Sequence, residues 1–145
     1  MRIRYFVFSL LALLLVSGCA LGKKEWPAAR ESDDAFELEV IAAQRKDQCL
    51  TLQVGVRGAV NRLYRVSIQL ERVGGEGGGC PGCPFVPREA VHITRDQQEF
   101  SLKGNFLDLS LCTLEPGVPY RFRVAGKSEL PTAPLVYTDV FVADP

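Results

Sequence analysis

Five cysteines carry most of the chemistry available to this 145-residue chain: Cys19, Cys49, Cys80, Cys83 and Cys112. Cys80-Pro81-Gly82-Cys83 is a C-x-x-C pair. Such a pair supports three chemistries: a short disulfide ring, half of a four-thiolate metal site, or a redox couple. A second C-x-x-C would signal the metal site strongly, but Cys49 and Cys112 stand apart. Thioredoxin-like couples sit where a strand meets a helix N-terminus, which lowers the thiol pKa. Here Gly74 to Gly79 precede the pair and Pro84-Phe85-Val86-Pro87 follows, so no helix is signalled. The residue after Cys83 is not His, which excludes a c-type haem.

The other reactive side chains assemble into no catalytic pattern. His92 is the single histidine, in a short alternating stretch that points it outward. No nucleophile-elbow sequence is present, and His92 is the one histidine base on offer. Gly77-Gly78-Gly79 leads into Cys80 rather than into Lys and Ser or Thr, so it is no phosphate loop. Asp33-Asp34 reads as solvated charge. No enzyme is expected, no residue is expected to be catalytic, and none is assigned to a metal.

The N-terminus indicates where this chemistry operates. Arg2 and Arg4 precede an apolar run, Tyr5 to Val16, broken only by Ser9. A membrane-spanning helix takes about 20 apolar residues, so this run is short for a span and suited to a signal-peptide core. Small residues then lead to a cysteine in Val16-Ser17-Gly18-Cys19. That string resembles the lipobox of bacterial lipoproteins. The resemblance implies cleavage before Cys19, diacylglycerol on its thiol and acylation of the freed amine. Two or more acyl chains hold stably where one is marginal. Residues 1–18 are therefore expected to be a lipoprotein signal peptide and 19–34 a lipidated tether. Fully extended, that tether reaches on the order of 50 Å. Ala20 stands where Asp often marks inner-membrane retention in this family. The expected location is the cell envelope, at the outer membrane facing the periplasm in a diderm organism. Covalent lipid on Cys19 is the only cofactor expected.

Losing residues 1–18 takes Arg2 and Arg4 but no acid, leaving 15 of the 17 basic side chains against 17 acidic ones. That balance gives no footing for a nucleic-acid partner. With Cys19 lipidated, four cysteines remain, and an even number in an exported chain favours disulfides over metal or redox use.

The elements that must position these cysteines are strands. Leu50, Leu52, Val54 and Val56 alternate with polar residues or Gly, as do Tyr64, Val66, Ile68 and Leu70, and Tyr120, Phe122 and Val124. Period two puts one side of each segment in a core and the other in water. Strands are expected at 36–42, 49–57, 63–73, 90–94, 98–103, 120–126 and 136–142. Seven short strands point to an all-β, antiparallel sandwich over 35–145.

Leu114-Glu115-Pro116-Gly117-Val118-Pro119-Tyr120-Arg121-Phe122-Arg123-Val124-Ala125 resembles the entry to the sixth strand of a fibronectin type III domain. That family carries Leu, Pro-Gly, Tyr and then alternating apolar residues. The resemblance implies a seven-stranded immunoglobulin/fibronectin type III-like sandwich. It also implies a corner in which the Tyr120 hydroxyl bonds back to upstream backbone. The family's second-strand Trp is absent, the single Trp being Trp26. The implied topology brings three connections to one pole and gathers Cys49, Cys80, Cys83 and Cys112 there. Pairing Cys49 with Cys112 and Cys80 with Cys83, or crossing the two sets, both fit. A Cys49–Cys112 bridge would contribute roughly 4 kcal/mol by loop closure, a Cys80–Cys83 bridge mainly a fixed turn.

A sheet face or the cysteine-rich loop is expected to meet a partner. Arg65, Arg121 and Arg123 should share the outer side of one sheet with Tyr137 and Phe141, an interface-type composition. Gly74 to Gly79 reads as a flexible stalk carrying the apolar tip Phe85-Val86, which is either a docking element or, as expected here, has Phe85 packed over the open end of the core. The expected function is that of a membrane-anchored lipoprotein acting as a non-catalytic binding or structural module of the envelope. Its partners would be the membrane, through the lipid, and an envelope protein. The alternative is a thiol-redox or metal-handling lipoprotein using the Cys80/Cys83 loop.

Overall fold

Alternating segments of the chain close into two facing sheets. The computed structural model describes residues 33–143. The expected signal peptide, Cys19 and all of the expected tether but Asp33 and Asp34 lie outside the described residues. The strands are β1 (Phe36–Lys46), β2 (Cys49–Gly58), β3 (Leu63–Arg72), β4 (Glu89–Thr94), β5 (Ser101–Lys103), β6 (Phe106–Leu111), β7 (Tyr120–Ser128), β8 (Val136–Tyr137) and β9 (Phe141–Val142). A 3-10 turn, Val60–Arg62, leads into β3. One sheet runs β1-β2-β6-β5 and the other β4-β3-β7-β8, with β9 also on β7. All these strand pairs are antiparallel. The result is an immunoglobulin/fibronectin type III-like sandwich, as expected.

The inward residues are those that alternation selects. Leu50, Leu52 and Val54 on β2 stand opposite Leu111, Leu109 and Leu107 on β6. Across the core, Ile68 and Leu70 on β3 stand opposite Val124 and Phe122 on β7. All ten are buried. Burying a side chain of this size contributes about 1.5–3 kcal/mol, so these two inner faces are the main source of stability. At the chain's entry to the domain, Arg62 donates to Asp34 at 2.8 Å and Glu129 at 2.5 Å. Those hydrogen bonds, Glu129's first, hold its guanidinium above its ordinary pKa.

Two strands differ from expectation. The segment expected at 98–103 shrinks to the three-residue β5 at the sheet edge. The strand that fills the sheet beside β2 is β6, where Leu107, Leu109 and Leu111 alternate with Asp108 and Ser110. The last expected strand, 136–142, is divided into β8 and β9.

Gly126, on the inner face of β7, permits a close approach of β1. A Cβ there would lie 2.7 Å from Leu38 Cδ1 and 3.0 Å from Phe36 Cε2. Leu38 and Phe36 are themselves buried, so neither can swing into solvent without exposing apolar surface. Gly126→Val is expected to lower stability by about 1–3 kcal/mol through overpacking. Urea unfolding of the variant beside the parent chain checks this.

Candidate functional site

The outer face of the second sheet is built from the polar positions of β3 and β7. Register places Glu71 opposite Arg121, Gln69 opposite Arg123, Ser67 opposite Ala125 and Arg65 opposite Lys127. Directly opposed residues share a face, so these eight point the same way. β4 adds His92, opposite Ser67. The Ser67 Oγ lies 2.6 Å from His92 Nδ1, a cross-strand hydrogen bond in which Ser67 is buried and His92 exposed.

Glu71 and Arg121 form the one deeply buried ion pair among the described residues, 2.5 Å apart, with side chains 2% and 9% exposed. The loop between β3 and β4 covers them. Its glycine stretch is a hydrogen-bonded turn rather than a flexible stalk. Gly74 N donates to Gly79 O and Gly79 N to Arg72 O, both at 2.8 Å, while Val73 N reaches Pro119 O at 2.9 Å. Gly79 lies directly against the Glu71 carboxylate, and a Cβ at this position would collide with it. After the turn come the bonded sulfurs of Cys80 and Cys83. The Cys83 carbonyl accepts from Arg121 Nη1 at 2.6 Å, and the Pro84 carbonyl lies 3.4 Å from Nη2. The loop therefore supplies acceptors that solvent would otherwise provide.

Phe85 follows, and its position is a correction. It does not close the end of the core. Its ring lies over the outer face, 5.9 Å from the Arg121 guanidinium and 5.1 Å from that of Arg123. Two favourable cations are available there, whereas the core is already filled by β7 and its neighbours. Arg123 also lies 4.3 Å from the Tyr137 ring and donates through Nε and Nη2 to Gln69 Oε1 at 3.0 and 2.7 Å. The guanidinium is thus held by two aromatic rings and an amide. Val86 beside Phe85 remains 48% exposed.

Phe141 is the second correction. It was expected beside Tyr137 on the outer face. Instead it stacks on Phe122 with ring centroids 5.6 Å apart and packs against the core. The cause is a register step: β8 pairs Ala125 with Tyr137, while β9 pairs Phe122 with Phe141. One extra residue between the two short strands reverses the parity of everything after it. Val142 takes the outer position opposite Arg121 and is 60% exposed. Thr138 marks the step, with its Oγ1 accepting from Val124 N at 3.0 Å.

Tyr120 is buried, but the corner is held by a different residue. The Arg45 guanidinium lies over the Tyr120 ring at 5.3 Å and donates to Val118 O at 2.5 Å and Glu115 O at 2.6 Å. Among the described residues the Tyr120 hydroxyl makes no hydrogen bond to upstream backbone. The same end carries the second bonded pair, Cys49 with Cys112, which extends the β2–β6 register one step beyond Leu50 and Leu111. The four cysteines thus form two separate bridges. Among the described residues no three His, Cys, Asp or Glu side chains form a group able to hold a metal ion.

Arg65, Arg123 and Lys127 have no carboxylate within ion-pairing distance among the described residues, so this face is cationic. Gln69 and Glu71 complete it beyond the residues that the sequence singled out. The alternation that assigned Arg65 and Arg121 to the outer side assigns Gln69 and Glu71 there too. No protein-family model matches the chain, and neither does any curated protein.

Removing one partner of a buried ion pair leaves an uncompensated charge, whereas exposed pairs contribute little. Glu71→Gln is therefore expected to lower stability by about 3–5 kcal/mol. Glu39→Gln, which breaks the exposed pair with Arg57, should change it by less than about 1 kcal/mol. Equal effects in urea unfolding would remove the special standing of Glu71.

Proposed function

We propose that this chain is a membrane-anchored lipoprotein acting as a non-catalytic binding module of the bacterial cell envelope. In this reading, lipid on Cys19 holds it at the membrane, at the outer membrane facing the periplasm in a diderm organism. The lipobox-like string Val16-Ser17-Gly18-Cys19 supports the anchor. The observation that carries the binding role is the Arg123 guanidinium held between Phe85 and Tyr137 on an open sheet face. Arg and Tyr dominate protein-interface energetics, because each combines a large contact area with directional polar atoms. A side chain fixed in advance also loses less entropy when a partner arrives. The unpaired cations nearby favour an envelope protein that presents carboxylates.

The test uses the full chain in its native envelope. A photo-crosslinker at Tyr137 should capture a partner, and one at Gln53, on the outer side of the other sheet, should not. Arg123→Ala should reduce the Tyr137 product at least several-fold. Cys19→Ser should remove acyl mass from the N-terminal peptide and move the chain to the soluble fraction. Equal capture from both positions, or capture unaffected by Arg123→Ala, would contradict docking on this face. An unchanged membrane fraction for Cys19→Ser would contradict the anchor.

A further inference from the structure

We propose that the Cys80–Cys83 ring is a thiol–disulfide exchange site for a dithiol reductant, and that its oxidation state sets the order of the outer sheet face. The proposal does not require the binding role or the lipid anchor.

Accessibility is the first support. Cys80, Pro81, Gly82 and Cys83 are all exposed, so an attacking thiolate can approach the ring from solvent. Restraint is the second. The two cysteines are three positions apart, and the one backbone hydrogen bond inside the ring runs from Cys83 N to Cys80 O at 3.1 Å. Once opened, little holds the two sulfurs together. Cys49 and Cys112 differ in this respect. They are 63 positions apart in sequence and continue the β2–β6 ladder, which keeps their sulfurs opposed if the bond breaks and favours its re-formation.

A thiolate of the reductant attacks one ring sulfur, forming a mixed disulfide and releasing the other cysteine as a thiolate, which takes a proton. The reductant's second thiol, as its thiolate, then attacks the mixed disulfide and releases the first cysteine, which is protonated in turn. The chain gains two electrons and two protons, and the dithiol leaves as its own disulfide.

A structural readout is attached to this chemistry. The ring holds the Cys83 carbonyl 2.6 Å from Arg121 Nη1 and sets the path that lays Phe85 across Arg121 and Arg123. In the dithiol form residues 80–83 regain backbone freedom, and those acceptors and the ring cover are no longer held in place. Arg121 becomes accessible, and Arg123 keeps Gln69 and Tyr137 but loses one of its two aromatic neighbours. Reduction thus loosens the face that oxidation assembles.

The test takes the full-length chain in detergent micelles through dithiothreitol buffers of increasing reducing strength. Free thiols are trapped with N-ethylmaleimide and arginines labelled with phenylglyoxal, both read by peptide mass. Cys80 and Cys83 should become alkylated together while Cys49 and Cys112 stay bonded. Arg121 labelling should rise about ten-fold or more, as for a buried site exposed by local opening. Arg57, exposed in both states, should not change. Cys80→Ser with Cys83→Ser should show the fast Arg121 labelling without reductant. If the ring resists until Cys49–Cys112 also opens, the exchange site is overturned. If it opens alone and Arg121 labelling stays slow, the coupling to the face is overturned.

Discussion

Burial of the Glu71–Arg121 ion pair dictates how the outer face of the second sheet is organised. Taking a carboxylate and a guanidinium out of water costs several kcal/mol per ion, and their attraction offsets this only when the remaining polar atoms are also bonded. One carboxylate cannot satisfy the whole guanidinium, so backbone carbonyls must come to it. Cys83 and Pro84 provide them to Nη1 and Nη2, which requires the loop after β3 to fold down over the strands, while Nε stays buried without a hydrogen-bond partner among the described residues. Glycine at position 79 follows from that requirement, because a side chain would occupy the space of the carboxylate. The placement of Phe85 follows as well, and with it one of the two rings that hold Arg123.

The two disulfides serve different purposes within this arrangement. Cys49–Cys112 extends a strand ladder and closes a long stretch of chain, so its effect is on the folding equilibrium. It lies at the end where Arg45 ties the β1–β2 hairpin to the carbonyls of Glu115 and Val118. Cys80–Cys83 closes almost no chain, and it immediately precedes the carbonyl that meets Arg121 and the ring that covers Arg123. In the proposed exchange, opening Cys80–Cys83 would loosen the outer face while Cys49–Cys112 keeps the sandwich closed.

Much of the sandwich was legible in the sequence because period two is set by backbone geometry alone. Leu50, Leu52, Val54, Val66, Ile68 and Val124 all face the core as alternation requires. Leu107, Leu109 and Leu111 carry the same signal on β6, beside the shorter β5. Phe141 departs from this pattern. Its parity depends on a register step between β8 and β9, and a one-residue insertion in an edge strand leaves no mark in composition. The folded loop is not legible in the sequence because glycine content reports freedom in the unfolded chain. Whether a glycine stretch stays free depends on partners brought from elsewhere, here Pro119 and Glu71. The ion pair itself needed the β3–β7 register, which fixes Glu71 against Arg121 and not against Arg123.

The loop and the ion pair form one unit. A double-mutant cycle between Phe85→Ala and Arg121→Met, measured by urea unfolding of the oxidised chain, reads that unity as a coupling energy. Residues that share a network couple by about 0.5–3 kcal/mol, and a value in that range is expected here. Losses that add to within about 0.3 kcal/mol would instead show that Phe85 sits on the face independently of the pair.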